Sequence, residues 1–99
     1  MSIPLGNARL GDLAIPTPVH TYPPHAIIEG SEDVFINNLP AARMGDMLAP
    51  HGCSTPPESI KIAKGSLTVF INGMPAARIT DPTTCGTIIG EGSMDVFSG

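Results

Sequence analysis

Residues 30–46 read GSEDVFINNLPAARMGD, and residues 65–81 read GSLTVFINGMPAARITD. The two stretches start 35 residues apart and align without a gap, with 11 of 17 positions identical. Self-similarity at a fixed period marks a repeated supersecondary unit. A third copy is divided between the chain ends. Residues 92–97, GSMDVF, repeat the opening of the unit, and residues 8–12, ARLGD, repeat its close. Arg9, Arg43 and Arg78 keep the phase. The chain thus starts about where it stops within one unit. The simplest arrangement is three units around an axis, with the two terminal pieces completing one of them. An open solenoid would instead call for distinct capping repeats.

Each unit reads as a β-hairpin. Val34-Phe35-Ile36 and Val69-Phe70-Ile71 favour strands, and Asn37-Asn38 or Asn72-Gly73 follows them. Asn-Gly is a strong hairpin signal, because a type I′ turn needs positive φ at both central residues. The return strand carries Pro40 or Pro75, which removes a ladder donor and belongs at an edge or a non-hydrogen-bonded position. Such pairing puts Val34, Ile36, Leu39 and Ala41 on one face, and Phe35, Pro40 and Ala42 on the other. Both faces are apolar, so one is expected to be core and the other covered by a partner. The sequence leaves open which is which. The candidate contact residues are Val34, Phe35, Ile36, Val69, Phe70, Ile71, Val96 and Phe97.

The remaining composition agrees with an all-β domain. Ninety-nine residues make one domain, 1–99, with units at about 27–53, 60–86 and 87–99 joined with 1–26. Eleven glycines and eleven prolines disfavour long helices and favour short strands with tight turns. So short a chain often needs a disulfide, a metal or a partner beside its core. The net charge of −4 argues against a nucleic-acid partner. No apolar run is long enough to span a membrane, and residues 1–6 lack the pattern of a secretory signal. The expectation is synthesis in the cytoplasm, with any export by another route.

All three histidines and both cysteines follow the repeated Arg-x-x-Asp. His20 and His25 come after Asp12, His51 and Cys53 after Asp46, and Cys85 after Asp81. If these segments converge at one end of the axis, three imidazoles and a thiolate suit one tetrahedral structural Zn²⁺. The expected ligands are His20, His25, His51 and Cys85, with Cys53 the rival sulfur. Without a secretory signal, metal binding is favoured over a disulfide. Asp12, Asp46 and Asp81 occur once per unit, which suits a turn-stabilising role rather than a catalytic base. No nucleophile, phosphate-loop or dinucleotide motif is present, so an enzyme is not expected.

The strings Pro40-Ala41-Ala42-Arg43 and Pro75-Ala76-Ala77-Arg78, in their repeated seventeen-residue setting, resemble the PAAR-repeat proteins over essentially the whole chain. The third copy, Gly6-Asn7-Ala8-Arg9, is degenerate, and Ile79-Thr80-Asp81 departs slightly from Met44-Gly45-Asp46. The resemblance implies a cone of β-hairpins with zinc near its apex, held by three histidines and a cysteine. It implies a structural tip that caps a trimeric VgrG-like spike in type VI secretion, one copy per trimer, aiding membrane puncture and delivery of effector proteins. Such a tip leaves the cell on the spike and does not stay inserted in a membrane. The alternatives are the tip of a contractile phage tail spike and a small zinc-dependent hydrolase.

Overall fold

The Asn pairs make the turns their chemistry demands. In the structure, a computed structural model that describes residues 5–16, 24–49 and 60–99, Asn37 and Asn38 have φ of 52° and 68°. Asn72 and Gly73 have φ of 54° and 79°. These turns close two identical hairpins. Strands β4 (Phe35–Ile36) and β5 (Leu39–Pro40) pair with Phe35 opposite Pro40 and Ile36 opposite Leu39. Strands β6 (Phe70–Ile71) and β7 (Met74–Pro75) repeat that register. The next ladder bond runs from Ala41 N to Val34 O, so Pro40 occupies a non-hydrogen-bonded position, where its missing N–H costs nothing. Gly30 and Gly65 let each return strand come close. A Cβ on either would lie within 2.9 Å of the Cβ of Pro40 or Pro75.

The termini build the third hairpin. Strand β1 (Leu5–Gly6) pairs antiparallel with β9 (Phe97–Ser98), with Gly6 opposite Phe97 and Leu5 opposite Ser98. The split copy read from the sequence is therefore one pairing unit in space. Backbone hydrogen bonds then join the hairpins in a closed ring. Ala42 N donates to Ala8 O at 2.9 Å, Ala77 N to Ala42 O at 3.0 Å, and Ala8 N to Ala77 O at 2.9 Å. All three alanines are fully buried. A side chain larger than methyl at these positions would press on its neighbours in a close-packed interior.

Two apolar clusters flank this ring. The larger joins the three alanines to Ile27, Leu48, Ile60, Ile62 and Ile89. It is covered by a sheet of order β3 (His25–Ala26), β2 (Leu13–Pro16) and β8 (Thr87–Ile89). The smaller cluster is Ile36, Ala41, Ile71 and Ala76, contributed by two of the hairpins. In the terminal hairpin the corresponding positions are Ser98 and Asn7. Both are buried, and Ser98 Oγ donates to Asn7 Oδ1 at 2.8 Å. The degenerate third copy thus replaces an Ile–Ala contact with a satisfied polar pair. There is no helix among the described residues, and none is long and apolar enough to cross a membrane.

Each Arg-x-x-Asp is a tight turn. Asp12 N donates to Arg9 O, Asp46 N to Arg43 O and Asp81 N to Arg78 O, each at 3.0 Å. The third turn residue is left-handed in all three, at Gly11 (φ 94°), Gly45 (φ 94°) and Thr80 (φ 77°). For a β-branched residue that region is strained by roughly 1–2 kcal/mol. Thr80→Gly is therefore expected to stabilise the chain by about 1 kcal/mol, less the extra backbone entropy of glycine. Chemical denaturation of the variant checks this, and an unchanged or lower midpoint refutes it.

Candidate functional site

Exposure does not divide the hairpins cleanly by face, since Val34 is exposed on the side of the buried Ile36 and Ala41, and Ala42 is buried on the side of Phe35. Ile36 and Ile71 are 5% and 7% exposed, whereas Phe35, Phe70 and Phe97 are 56%, 57% and 53% exposed. Val34, Val69 and Val96 are also exposed. The expectation that Ile36 and Ile71 meet a partner is corrected: they pack on Ala41 and Ala76 inside the molecule. The outward set is Val34, Phe35, Val69, Phe70, Val96 and Phe97. One aromatic ring thus stands at the same register position of every hairpin. Exposed large apolar side chains in such a repeated set make these strands the candidate interaction surface.

A polar lattice holds the hairpins that carry these rings. Arg9, Arg43 and Arg78 each grip the Asp three residues on through both guanidinium Nε and Nη2, at 2.9–3.1 Å. Their backbone N–H groups reach the same carboxylates at 2.8 Å. Hydrogen bonding to Asp12 and Asp46 raises Arg9 and Arg43 above the ordinary arginine pKa. Two of the arginines reach further, to the turn of a neighbouring hairpin. Arg9 Nη1 donates to Asn37 Oδ1 at 3.1 Å, and Arg43 Nη1 to Asn72 Oδ1 at 3.0 Å. The same amide oxygens accept from Ser93 Oγ and Ser31 Oγ, each at 2.6 Å. Gly99 O takes this place for Ser66 Oγ. The repeated Arg and Asp are structural pairs, as their once-per-unit occurrence implies. The role of the turn asparagines as clamps between units was not read from the sequence, which marked them only as turn formers.

Of the expected metal ligands, His25 and Cys85 are described, while His20, His51 and the rival Cys53 lie outside the described residues. His25 is buried, with Nδ1 at 2.7 Å from Ala49 O and Nε2 at 2.8 Å from Thr87 Oγ1. A carbonyl only accepts, so Nδ1 carries the proton and Nε2 accepts from the Thr87 hydroxyl. Thr83 Oγ1 lies 2.7 Å from Thr87 Oγ1 and accepts from Cys85 N at 3.2 Å, so one chain of hydrogen bonds links His25 to the Cys85 backbone. An Nδ1–H bond to a carbonyl is the arrangement that presents Nε2 to a metal. Cys85, in contrast, is disulfide-bonded here, and a disulfide sulfur is not the thiolate that zinc requires. The donor chemistry fits zinc at His25 and fits at Cys85 only after reduction. Among the described residues, no group of three His, Cys, Asp or Glu is placed to hold a metal ion.

The flanks of the three units also differ. Glu29 Oε1 accepts from Met47 N, and Glu91 Oε1 accepts from Leu13 N, both at 2.9 Å. The third equivalent pair is Lys64 and Pro82. Proline has no N–H to satisfy, so no carboxylate is needed, and a lysine stands in its place. The signal was available in the sequence as Glu, Lys and Glu before each Gly-Ser, with Met, Pro and Leu after the matching Asp.

A ring of short β pairs with a tight Arg-x-x-Asp turn in each unit defines an all-β repeat domain among the described residues. The PAAR motif family model matches residues 5–55 and 49–91, and the chain belongs to the PAAR motif family. No curated protein matches the chain significantly.

Proposed function

We propose that this chain is the tip of a trimeric β-helical spike in a contractile injection apparatus of the type VI secretion kind. The observation that carries this reading is the exposed phenylalanine at one register position in all three hairpins. A spike with three identical chains ends in three identical edges. A single chain whose hairpins surround a pseudo-three-fold axis can cover each edge with an equivalent aromatic contact. The ring of Ala8, Ala42 and Ala77 supplies the closure that such an axis needs. In this reading one structural Zn²⁺ near the apex of the cone would be held by His20, His25, His51 and the reduced Cys85. The ion would tie together segments from all three units.

The role is structural rather than catalytic. Asp12, Asp46 and Asp81 each spend both carboxylate oxygens on an arginine fork, which leaves none of them available as a general base. The chain leaves the cell on its spike, with the VgrG-like trimer as its stable partner and effector proteins as cargo. Native mass spectrometry of the chain expressed with its spike protein tests this directly. One chain per spike trimer is expected. A ratio of three to three, or no complex, overturns the reading.

A further inference from the structure

Beyond the shared phenylalanines, one flank is unlike the other two. We propose that the groove beside Lys64 is a docking site for a single protein segment that carries a carboxylate next to a large apolar side chain. The groove has a volume of about 390 Å³ and is lined by Met44, Ala63, Lys64, Leu67, Pro75 and Arg78. Its equivalent on the preceding unit is lined by Glu29, Glu32 and Asp33. The third unit carries Glu91 and Asp95 at the corresponding positions.

Three observations converge on this groove. Lys64 is exposed, and no carboxylate lies within ion-pair distance of its ammonium among the described residues. Pro82 has removed the N–H that its two glutamate counterparts serve, so Lys64 takes no part in that structural scheme. Arg78 uses Nε and Nη2 on Asp81, but its Nη1 makes no hydrogen bond among the described residues. The Nη1 atoms of Arg9 and Arg43 both reach an asparagine. Leu67 is 90% exposed, where the first unit has Glu32 and the third has an equally exposed Met94, so the exposed apolar side chain meets a cation only here. Two cationic donors therefore border an apolar floor and an unburied leucine, on a chain whose net charge is −4.

That combination selects the occupant. A nucleic acid would meet the acidic flanks on either side, and a free phosphate would gain nothing from Met44, Leu67 and Pro75. An acidic, apolar peptide segment matches both the charge and the floor. Because only one unit has this chemistry, a single copy binds per chain. A three-fold spike presents three identical surfaces and has no use for one odd groove, so the partner is a different protein from the spike.

The test is an NMR titration of the full-length isotope-labelled chain. The probes are short acetylated, amidated peptides with one glutamate one to three residues from a leucine or phenylalanine. Matched peptides with lysine in place of glutamate serve as controls. Saturable shifts confined to the amides of 63–67 and 76–79 are expected from at least one acidic peptide and none of the controls. Lys64→Glu and Leu67→Ser should each weaken that binding by about tenfold or more while leaving the remaining spectrum in place. Four results overturn the proposal: no saturable shift at millimolar peptide, an equal response to the lysine peptides, equal shifts around Glu29 or Glu91, or full affinity in Lys64→Glu. Lys64→Glu should still bind the spike, so failure here is distinct from failure of the spike reading.

Discussion

Phe70→Glu weakens binding to the spike trimer by about 100-fold or more while the domain stays folded. The ring of Phe70 is 57% exposed, so its removal takes little from the molecule's own core. At the interface it is one of three matching aromatic anchors, and truncating such an anchor typically costs about 2–4 kcal/mol. A glutamate would also bring an unpaired charge into a desolvated contact, which adds to the loss. The neighbouring residue supplies the contrast. Ile71 is buried against Ile36, Ala41 and Ala76, so Ile71→Glu should unfold the chain rather than weaken binding alone. Calorimetry against the purified spike, beside thermal melts of both variants, separates these outcomes. Wild-type affinity in Phe70→Glu, and in the same change at Phe35 and Phe97, would remove the phenylalanines from the interface.

The hairpins were legible because turn chemistry and repetition pointed the same way. Asn72-Gly73 specifies its own backbone, and the second copy fixed the register of the first. Closure through the termini followed from the phase of Arg9, Arg43 and Arg78. The inward face of the strands was not legible. Val34-Phe35-Ile36 is apolar at every position, so the two-residue period carried no contrast. In the folded chain Ile36 packs with Ile71 and Ala76 of the adjoining hairpin, a contact that the pattern of one strand cannot reveal. The third unit was hidden for another reason: Asn7 and Ser98 are polar residues in a core position, and only their proximity shows that they satisfy each other. The pairing of Lys64 with Pro82, where the other units pair a glutamate with an N–H, was visible in the aligned repeats, but its meaning needed the Glu29 and Glu91 hydrogen bonds.

Reduced chain supplied with zinc should hold one ion and melt well above the chelated chain, and Cys85→Ser should abolish both effects. Structural zinc binding contributes on the order of 10 kcal/mol of apparent free energy in small domains, comparable to the whole stability of a domain this size. Four ligands share that contribution, so losing one sacrifices much of it. The comparison belongs under reducing conditions. Oxidised Cys85 sits in a disulfide, whose own loss costs about 2–5 kcal/mol and would otherwise mimic a ligand effect. His25 already makes the Nδ1–H bond to Ala49 O that orients a metal-binding imidazole, with Nε2 against the Thr87 hydroxyl. Reduced wild type and Cys53→Ser should each retain stoichiometric zinc by elemental analysis, and His51→Ala should not. Retention in Cys85→Ser with loss in Cys53→Ser transfers the sulfur ligand to Cys53. Retention in both leaves three histidines and an exchangeable water, which is the arrangement of a hydrolytic zinc. No zinc in any reduced form leaves the disulfide as the covalent staple that ties Cys85 into the fold.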